Sequence, residues 1–440
     1  MDVKQYAAFD DVDRPSPDII EDCVHCGFCL TACPTYLETG NELDSPRGRI
    51  YLMKSASEGK IPIRGSLVNH LDKCLGCLAC EPACPSGVRY GRLIEAGRSQ
   101  IERRYERPFF DRLYRLVIFS FFPHPERLKF MLPLFYLYQK LGVRALLRST
   151  GLLNGISGTL ARMEEMLPDV DSPASPEPLP EVIPAFGKKR RRVALLTGCV
   201  QSVFFSETNA ATARVLAQNG CEVVVPRSQS CCGALSVHSG RLSEGRDFAR
   251  RTIESFEALD VDAIIVNSAG CGSTMKEYGE IMKEDSVFAE RAAAISARTK
   301  DVMEFLAETG ITGDLKPLNL RVTYQDACHL GNAQRIKDQP REVIKQIPGV
   351  EFVEFPEAEL CCGSAGIYNL VEPEMSGRLL NRKICNLKSA GPDYLVAGNP
   401  GCLLQITKGV KQHGLHIRTA HPVELLDWSY RGGTDRIANY

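Results

Sequence analysis

A chain of 440 residues is too long for one small core and has the length of about three domains. With 44% hydrophobic and 24% charged residues it has an ordinary globular balance, and a formal net charge of −1 offers no basic stripe for nucleic acid. No apolar run reaches the ~18 residues of a membrane span, and the acidic opening MDVKQYAAFDDVDRPSPDII lacks an apolar h-region, so the 18 cysteines read as metal-binding thiolates of a reducing cytoplasm and not as a secreted disulfide scaffold.

The first predicted domain, residues 1–108, holds eight cysteines in two groups. They are Cys23-x2-Cys26-x2-Cys29-x3-Cys33-Pro34 and Cys74-x2-Cys77-x2-Cys80-x3-Cys84-Pro85. Each matches the bacterial ferredoxin run, in which the fourth cysteine serves the other 4Fe–4S cluster. Two-residue gaps let three thiolates wrap one cubane from a short turn, while the fourth points away. The expected sets are therefore Cys23, Cys26, Cys29 and Cys84 for one cluster, and Cys74, Cys77, Cys80 and Cys33 for the other. Zinc would use two separated CxxC pairs and fits this doubled run poorly. Gly27, Gly76 and Gly87 are expected in tight turns, and His25 as a packing or hydrogen-bonding residue. Between the groups, Ser45-Pro46 reads as an N-cap and first helical residue. Arg47 and Arg49 would then sit in the first turn, unfavourable for the helix dipole, where they could offset cluster charge or be ordinary surface residues.

Residues 109–187 are predicted as helical pieces followed by a proline-rich linker. Residues 109–150 are apolar, aromatic and basic, and Pro123, Pro125 and Pro133 should cut them into short amphipathic helices. Such helices either cover the first domain or meet a membrane or a partner, with Phe121, Phe122, Leu132 and Phe135 as candidate contacts.

From Lys188 onward, short β-branched runs alternate with helical stretches: VALLTG, CEVVVP, DAIIVNS, RVTYQD, VEFVEF and DYLVAGN read as strands of α/β units. The segment is a duplication. Cys199 recurs as Cys328, Cys231-Cys232-Gly233 as Cys361-Cys362-Gly363, and Cys271 as Cys402. The expected modules are 188–315 and 316–440. Open α/β sheets gather their sites at the carboxyl ends of strands. Cys199, Cys231, Cys232 and Cys271 should converge there as one site, and Cys328, Cys361, Cys362 and Cys402 as a second. Each could hold an iron–sulfur cluster or zinc, act as a redox dithiol, or be structural. Cys221 and Cys385 are expected in the core, and His329 and His421 beside the second site.

At these residues the chain resembles the iron–sulfur subunit of glycolate oxidase (glycolate dehydrogenase), within the wider CCG-domain oxidoreductases. The likeness runs from about Asp22 to Trp428 and is most specific in CVHCGFCLTACPTY, ELDSPRGRIYL, CPSGVRY, TNAATARVL, SAGCGSTMKEYG and LCCGSAGIY. It implies an α+β multidomain fold: an α-helical ferredoxin-type two-cluster domain, then two duplicated α/β CCG modules. It also implies a flavoprotein (FAD) partner that oxidises a 2-hydroxy acid, electron passage toward a membrane quinone or another acceptor, and a cytoplasmic place, peripherally at the inner membrane face. The related subunits of glycerol-3-phosphate and lactate dehydrogenases are alternatives. So are a heterodisulfide-reductase-like thiol enzyme and, outside enzymes, a cluster-based redox sensor. Fuller CCG modules end in CxxC, whereas this chain has Ser268 and Asn399 at the first position of that pair, which argues against five-thiolate clusters.

Overall fold

The computed structural model describes residues 8–153, 158, 161, 164, 170 and 172–433. Its N-terminal part is helical: α1 (Pro17–Glu21), α2 (Pro34–Thr39), α3 (Pro46–Ser57), α4 (Ser66–Asp72) and α5 (Tyr90–Arg104). Proline opens the first three, where its missing N–H costs nothing. The Ser45 hydroxyl accepts the Gly48 N–H at 3.0 Å, the predicted cap, which contributes about 1 kcal/mol. The apolar faces close on Met53, Leu67, Leu71, Leu93 and Ile101. Cys74 and Cys80 belong to this core and Cys23, Cys29 and Cys84 border it, so packing of the helices also gathers the thiols.

Three linker helices follow: α6 (Phe109–Phe121), α7 (Pro125–Lys140) and α8 (Val143–Thr150). Pro123 and Pro125 separate α6 from α7, but Pro133 lies inside α7 and does not end it. On their inner side, Arg107 and Arg115 share Glu102 and Asp111, and Arg107 also reaches Asp72 at 2.8 Å. Arg241 lies 4.3 Å over the Phe119 ring. Leu128 and Leu132 pack on Val203. Leu132, an expected outward contact, is thus core: it occupies the turn of α7 that faces the C-terminal half.

That half contains two sheets. The first comprises β1 (Val182–Ile183), β2 (Arg191–Leu196), β3 (Cys221–Val224), β4 (Ala263–Val266) and β5 (Thr299–Asp301), in the order β1-β3-β2-β4-β5. The second comprises β6 (Leu320–Tyr324), β7 (Val350–Phe352), β8 (Tyr394–Val396) and β9 (Arg418–Ala420), in the order β7-β6-β8-β9. All pairings are parallel except the edge pair β1–β3. The register repeats: Val193 faces Val223 and Ala263 as Val322 faces Phe352 and Tyr394. The proline-rich stretch is more than a linker, because Leu179 and Ile183 pack against the core and β1 extends the first sheet. Both sheets share one apolar core. The helix Ser206–Gln218 packs on the helix Pro422–Arg431, where Thr208 donates to Glu424 at 2.6 Å and Arg214 pairs with Asp427 at 2.8 Å.

Candidate cysteine redox sites

The first-domain thiols form two environments. In one, Cys26 is exposed and Cys23, Cys29 and Cys84 are half-buried. Burial, with Cys84 and Cys26 close by, pushes the Cys23 thiol up. In the other, Cys33, Cys74, Cys77 and Cys80 are all buried. Burial raises Cys80 well above its ordinary value, and Cys77, Cys74 and Cys33 add to the effect. Cys84 therefore neighbours the first group, and Cys33 the second.

Each environment has its arginine. Arg47 donates to the His25 carbonyl at 3.0 Å, binds Glu42 and lies beside Cys23 and Cys29. Gly27, at φ 88°, leaves room for that guanidinium; a Cβ there would come within 2.8 Å of it. Arg49 is fully buried and reaches the His70 carbonyl at 2.6 Å, Thr35 at 3.0 Å and the Cys33 sulfur at 3.9 Å. Against the cost of burial, Arg49 and Arg98 hold the Cys74 thiol below its usual range. Removing a buried cation among thiolates strands negative charge, which explains why arginines occupy these helix positions despite the dipole.

In the C-terminal half, every repeated cysteine follows the carboxyl end of a strand. Cys199 comes after β2, Cys231 and Cys232 after β3, and Cys271 after β4; Cys328, Cys361, Cys362 and Cys402 follow β6, β7 and β8. Hydrogen bonds string the first four in the order Cys199, Cys231, Cys232, Cys271, and the second four in the order Cys328, Cys361, Cys362, Cys402. Among the described residues no three His, Cys, Asp or Glu side chains are drawn together as tightly as a single metal ion holds its ligands.

The two strings differ in charge. In the first, hydrogen bonding to neighbouring thiols and burial push Cys231, Cys232 and Cys271 up. In the second, the bond from Cys361, with His329 beyond it, holds Cys328 well below its ordinary value. The bonds from Cys361 and Cys402, with Lys383 behind, do the same for Cys362, while the donating Cys361 and Cys402 are pushed well up. Lys383 is buried on the Ala358 carbonyl at 3.3 Å, and burial lowers its own pKa to about 8. The second string also touches the first domain. Cys77 shares a small apolar cluster with Cys361 and borders Cys328. Asn332 donates to the Cys77 carbonyl at 3.0 Å, and Tyr368 to the Lys73 carbonyl at 3.0 Å.

The strings meet each other at the positions lacking the CxxC cysteine. Ser268 donates to Asn399 at 3.5 Å, and the Asn399 amide donates to the Cys402 sulfur at 3.4 Å. Beside them His238 stacks on His329 with ring centroids 4.5 Å apart. His238 binds Glu95 at 2.9 Å, while Arg98 ties the His238 carbonyl, at 2.8 Å, to the Cys74 carbonyl. Burial, and then Glu95, raise Glu277 here to about 7. His238, Glu95 and Arg98 carry no motif; only contacts across some 140 positions reveal them. His421 caps the last helix, accepting the Val423 N–H at 3.2 Å. One expectation fails. Cys385 is exposed, because its turn of the helix Pro373–Ala390 faces out while Lys383, Ile384 and Leu387 face in; Cys221 is buried as expected.

Eight thiols in two sets at the first domain, and two four-thiol strings on duplicated sheets, are the donor chemistry of iron–sulfur centres. This is the class: an iron–sulfur subunit of an oxidoreductase. Family models match as a 4Fe-4S dicluster domain over residues 19–88, a glycolate oxidase iron-sulfur subunit linker region over 110–167, and a cysteine-rich domain over 193–276 and 322–407. The chain is 42% identical over 414 residues to the probable glycolate oxidase iron-sulfur subunit of Bacillus subtilis, covering 92% of each. It is 35% identical over 392 residues to the glycolate oxidase iron-sulfur subunit of Escherichia coli, covering 87% of this chain and 89% of that one. Lactate utilization protein A of Oceanobacillus iheyensis matches at 30% over 243 residues, 55% of this chain and 99% of its own. The chain belongs to the glycolate oxidase iron–sulfur subunits.

Proposed function

We propose that this chain is the electron-carrying subunit of a 2-hydroxy-acid dehydrogenase of the glycolate type, accepting electrons from a flavoprotein partner and passing them toward a membrane quinone. The observation that carries the reading is the contact of Cys77 with Cys328 and Cys361, which joins the ferredoxin-type domain to the duplicated modules. Cys23, Cys26, Cys29 and Cys84 would hold one 4Fe–4S cluster, and Cys74, Cys77, Cys80 and Cys33 the other. Cys328, Cys361, Cys362 and Cys402 would hold a further iron–sulfur group, and Cys199, Cys231, Cys232 and Cys271 a fourth group or zinc. When bound, these centres supply one-electron carriers.

The chain's own residues order and tune them. The first set is the surface one, with Cys26 exposed between the exposed Val24 and Phe28, which suits contact with the flavoprotein. The second set is buried under Arg49 and Tyr90, away from water. The third, with Cys361, Cys362 and Cys402 buried and Cys328 half-buried, lies beside Lys383 and His329, and the fourth adjoins it through Ser268 and Asn399.

The test is anaerobic co-purification with iron, sulfide and flavin counts, followed by reduction with glycolate. Flavin on a partner chain, at least eight irons per subunit and cluster reduction by glycolate are expected. A fully loaded complex that glycolate, lactate and glycerol 3-phosphate all fail to reduce would overturn the reading.

A further inference from the structure

Helices α6 to α8 present large apolar side chains on the side that faces water. The inner side of α6 is occupied by Arg115 in its pairing with Glu102 and Asp111, together with Ile118 and Phe119. Its outer side carries Phe109, Phe110, Leu113, Leu116 and Val117, one helical stripe, with Phe110 78% exposed. Along α7 the buried residues are Leu128 and Leu132, while Phe130, Leu134 and Leu137 form an exposed row that Leu141 continues. In α8, Val143 and Leu146 are exposed. More than half of the large apolar side chains left open to water on the described residues fall within 109–152. An apolar surface this concentrated marks an interaction site.

Its charge selects the occupant. Residues 109–150 hold seven basic side chains against Asp111 and Glu126. Asp111 is held by Arg107 and Arg115, and Glu126 by Lys129 at 2.8 Å. Arg112, Arg127 and Lys140 are exposed on the same helices. Apolar rows flanked by cations match a surface of acyl chains beneath anionic headgroups. No helix among the described residues is long and apolar enough to cross a membrane, and the longest of these three has 16 residues.

We propose that the outer face of α6, α7 and α8 docks on an anionic lipid bilayer and lies in its interface. The position serves electron delivery. α7 packs through Leu128 and Leu132 on Val203, in the short helix Val200–Phe204 that begins immediately after Cys199, so the docked face and the first cysteine string are one helix layer apart. The proposal rests on the membrane-quinone reading above. Turnover with a water-soluble quinone analogue reports on that reading, and vesicle binding on this one.

The experiment is flotation of the assembled, cluster-loaded complex with vesicles of phosphatidylglycerol or of phosphatidylcholine. The complex should float with phosphatidylglycerol at least tenfold more than with phosphatidylcholine. The variant F110S/L116S/F130S/L134S should lose at least tenfold of that binding while keeping its iron count and its turnover with the soluble quinone, since all four side chains already face water. R112E/K140E should lose binding too, and wild-type binding should fall with salt. Equal flotation of variant and wild type, or absence of wild-type flotation, overturns the proposal. So does an apolar variant that keeps lipid binding but releases the flavoprotein, which would make the face a protein interface.

Discussion

The two cysteine strings began as copies and now sit in different electrostatic surroundings. The first lies among residues of its own module except where Ser268 meets Asn399, and its shifted thiols are pushed toward the neutral form. The second lies against Cys77; hydrogen bonds from Cys361 and Cys402, with His329 and Lys383 adding to them, hold Cys328 and Cys362 toward the thiolate, while Cys361 and Cys402 themselves are pushed up. One repeat period earlier, the first copy has Val200 and Ile253 in place of those cations. A shared strand order thus supplies a common scaffold, and two substitutions add cations beside the second string alone.

The largest expected effect comes from breaking the second string. Cys328→Ser should slow electron delivery from the flavoprotein by more than the ~10–100-fold typical of losing an outer-shell partner, leaving both ferredoxin-type clusters reducible. Cys232→Ser should instead let the second string still be reduced. Freeze-quenched EPR with iron counts separates them, and identical behaviour of the two variants would end the asymmetry argument. Next in size, Cys84→Ser should degrade the cluster of Cys23, Cys26 and Cys29 and spare the buried one; damage confined to the Cys74 set would refute crossed ligation. Smaller again, Lys383→Met removes a buried cation and should lower the midpoint potential of the second string only, as read by redox titration.

The smallest effect is a pH signature. Asp301 ends β5 and His421 follows β9, the last strands of the two copies, and each forms a capping box with a glutamate, Glu304 and Glu424. Burial raises Asp301 to about 7 and lowers His421 to about 3. Asp301's favourable contribution is complete below its unfolded value near 4 and is lost as pH rises through 7. His421's is complete above about 6.5 and is lost as pH falls toward 3. Asparagine also caps helices. Relative to wild type, Asp301→Asn should therefore gain stability as pH rises from 5 to 7.5, and His421→Asn as pH falls over that range. The limit is ~1.4 kcal/mol per pKa unit. Urea unfolding at both pH values checks the opposed signs; parallel shifts would sink the prediction.

Sixteen of the cysteines were legible in the sequence because ligand spacing is a local constraint, repeated in one case by a doubled run and in the other by duplication. β2, β3, β4, β6, β7 and β8 were legible through apolar and β-branched runs, but β5 (TKD) and β9 (RTA) contain no run of large apolar residues to mark a strand. Helical periodicity gave α6 an apolar stripe without saying which side was inside. Ion pairs to Glu102, far off in sequence, decide that Arg115 faces inward. The Glu95–His238–His329 junction is invisible for the same reason: it exists only where three segments meet.

The backbone just after Cys328 carries a trace of how the copies parted. His329–Ala333 form a π-helical turn, whereas the counterpart after Cys199 is an ordinary α-helical turn. Between Cys328 and Cys361 the repeat offset grows from 129 to 130 residues. A single residue inserted into an α-helix produces such a widened turn. Asn332, within that widening, makes the bond to the Cys77 carbonyl. The one-residue difference between the copies and the widened turn thus coincide at the residue that ties the second string to the first domain.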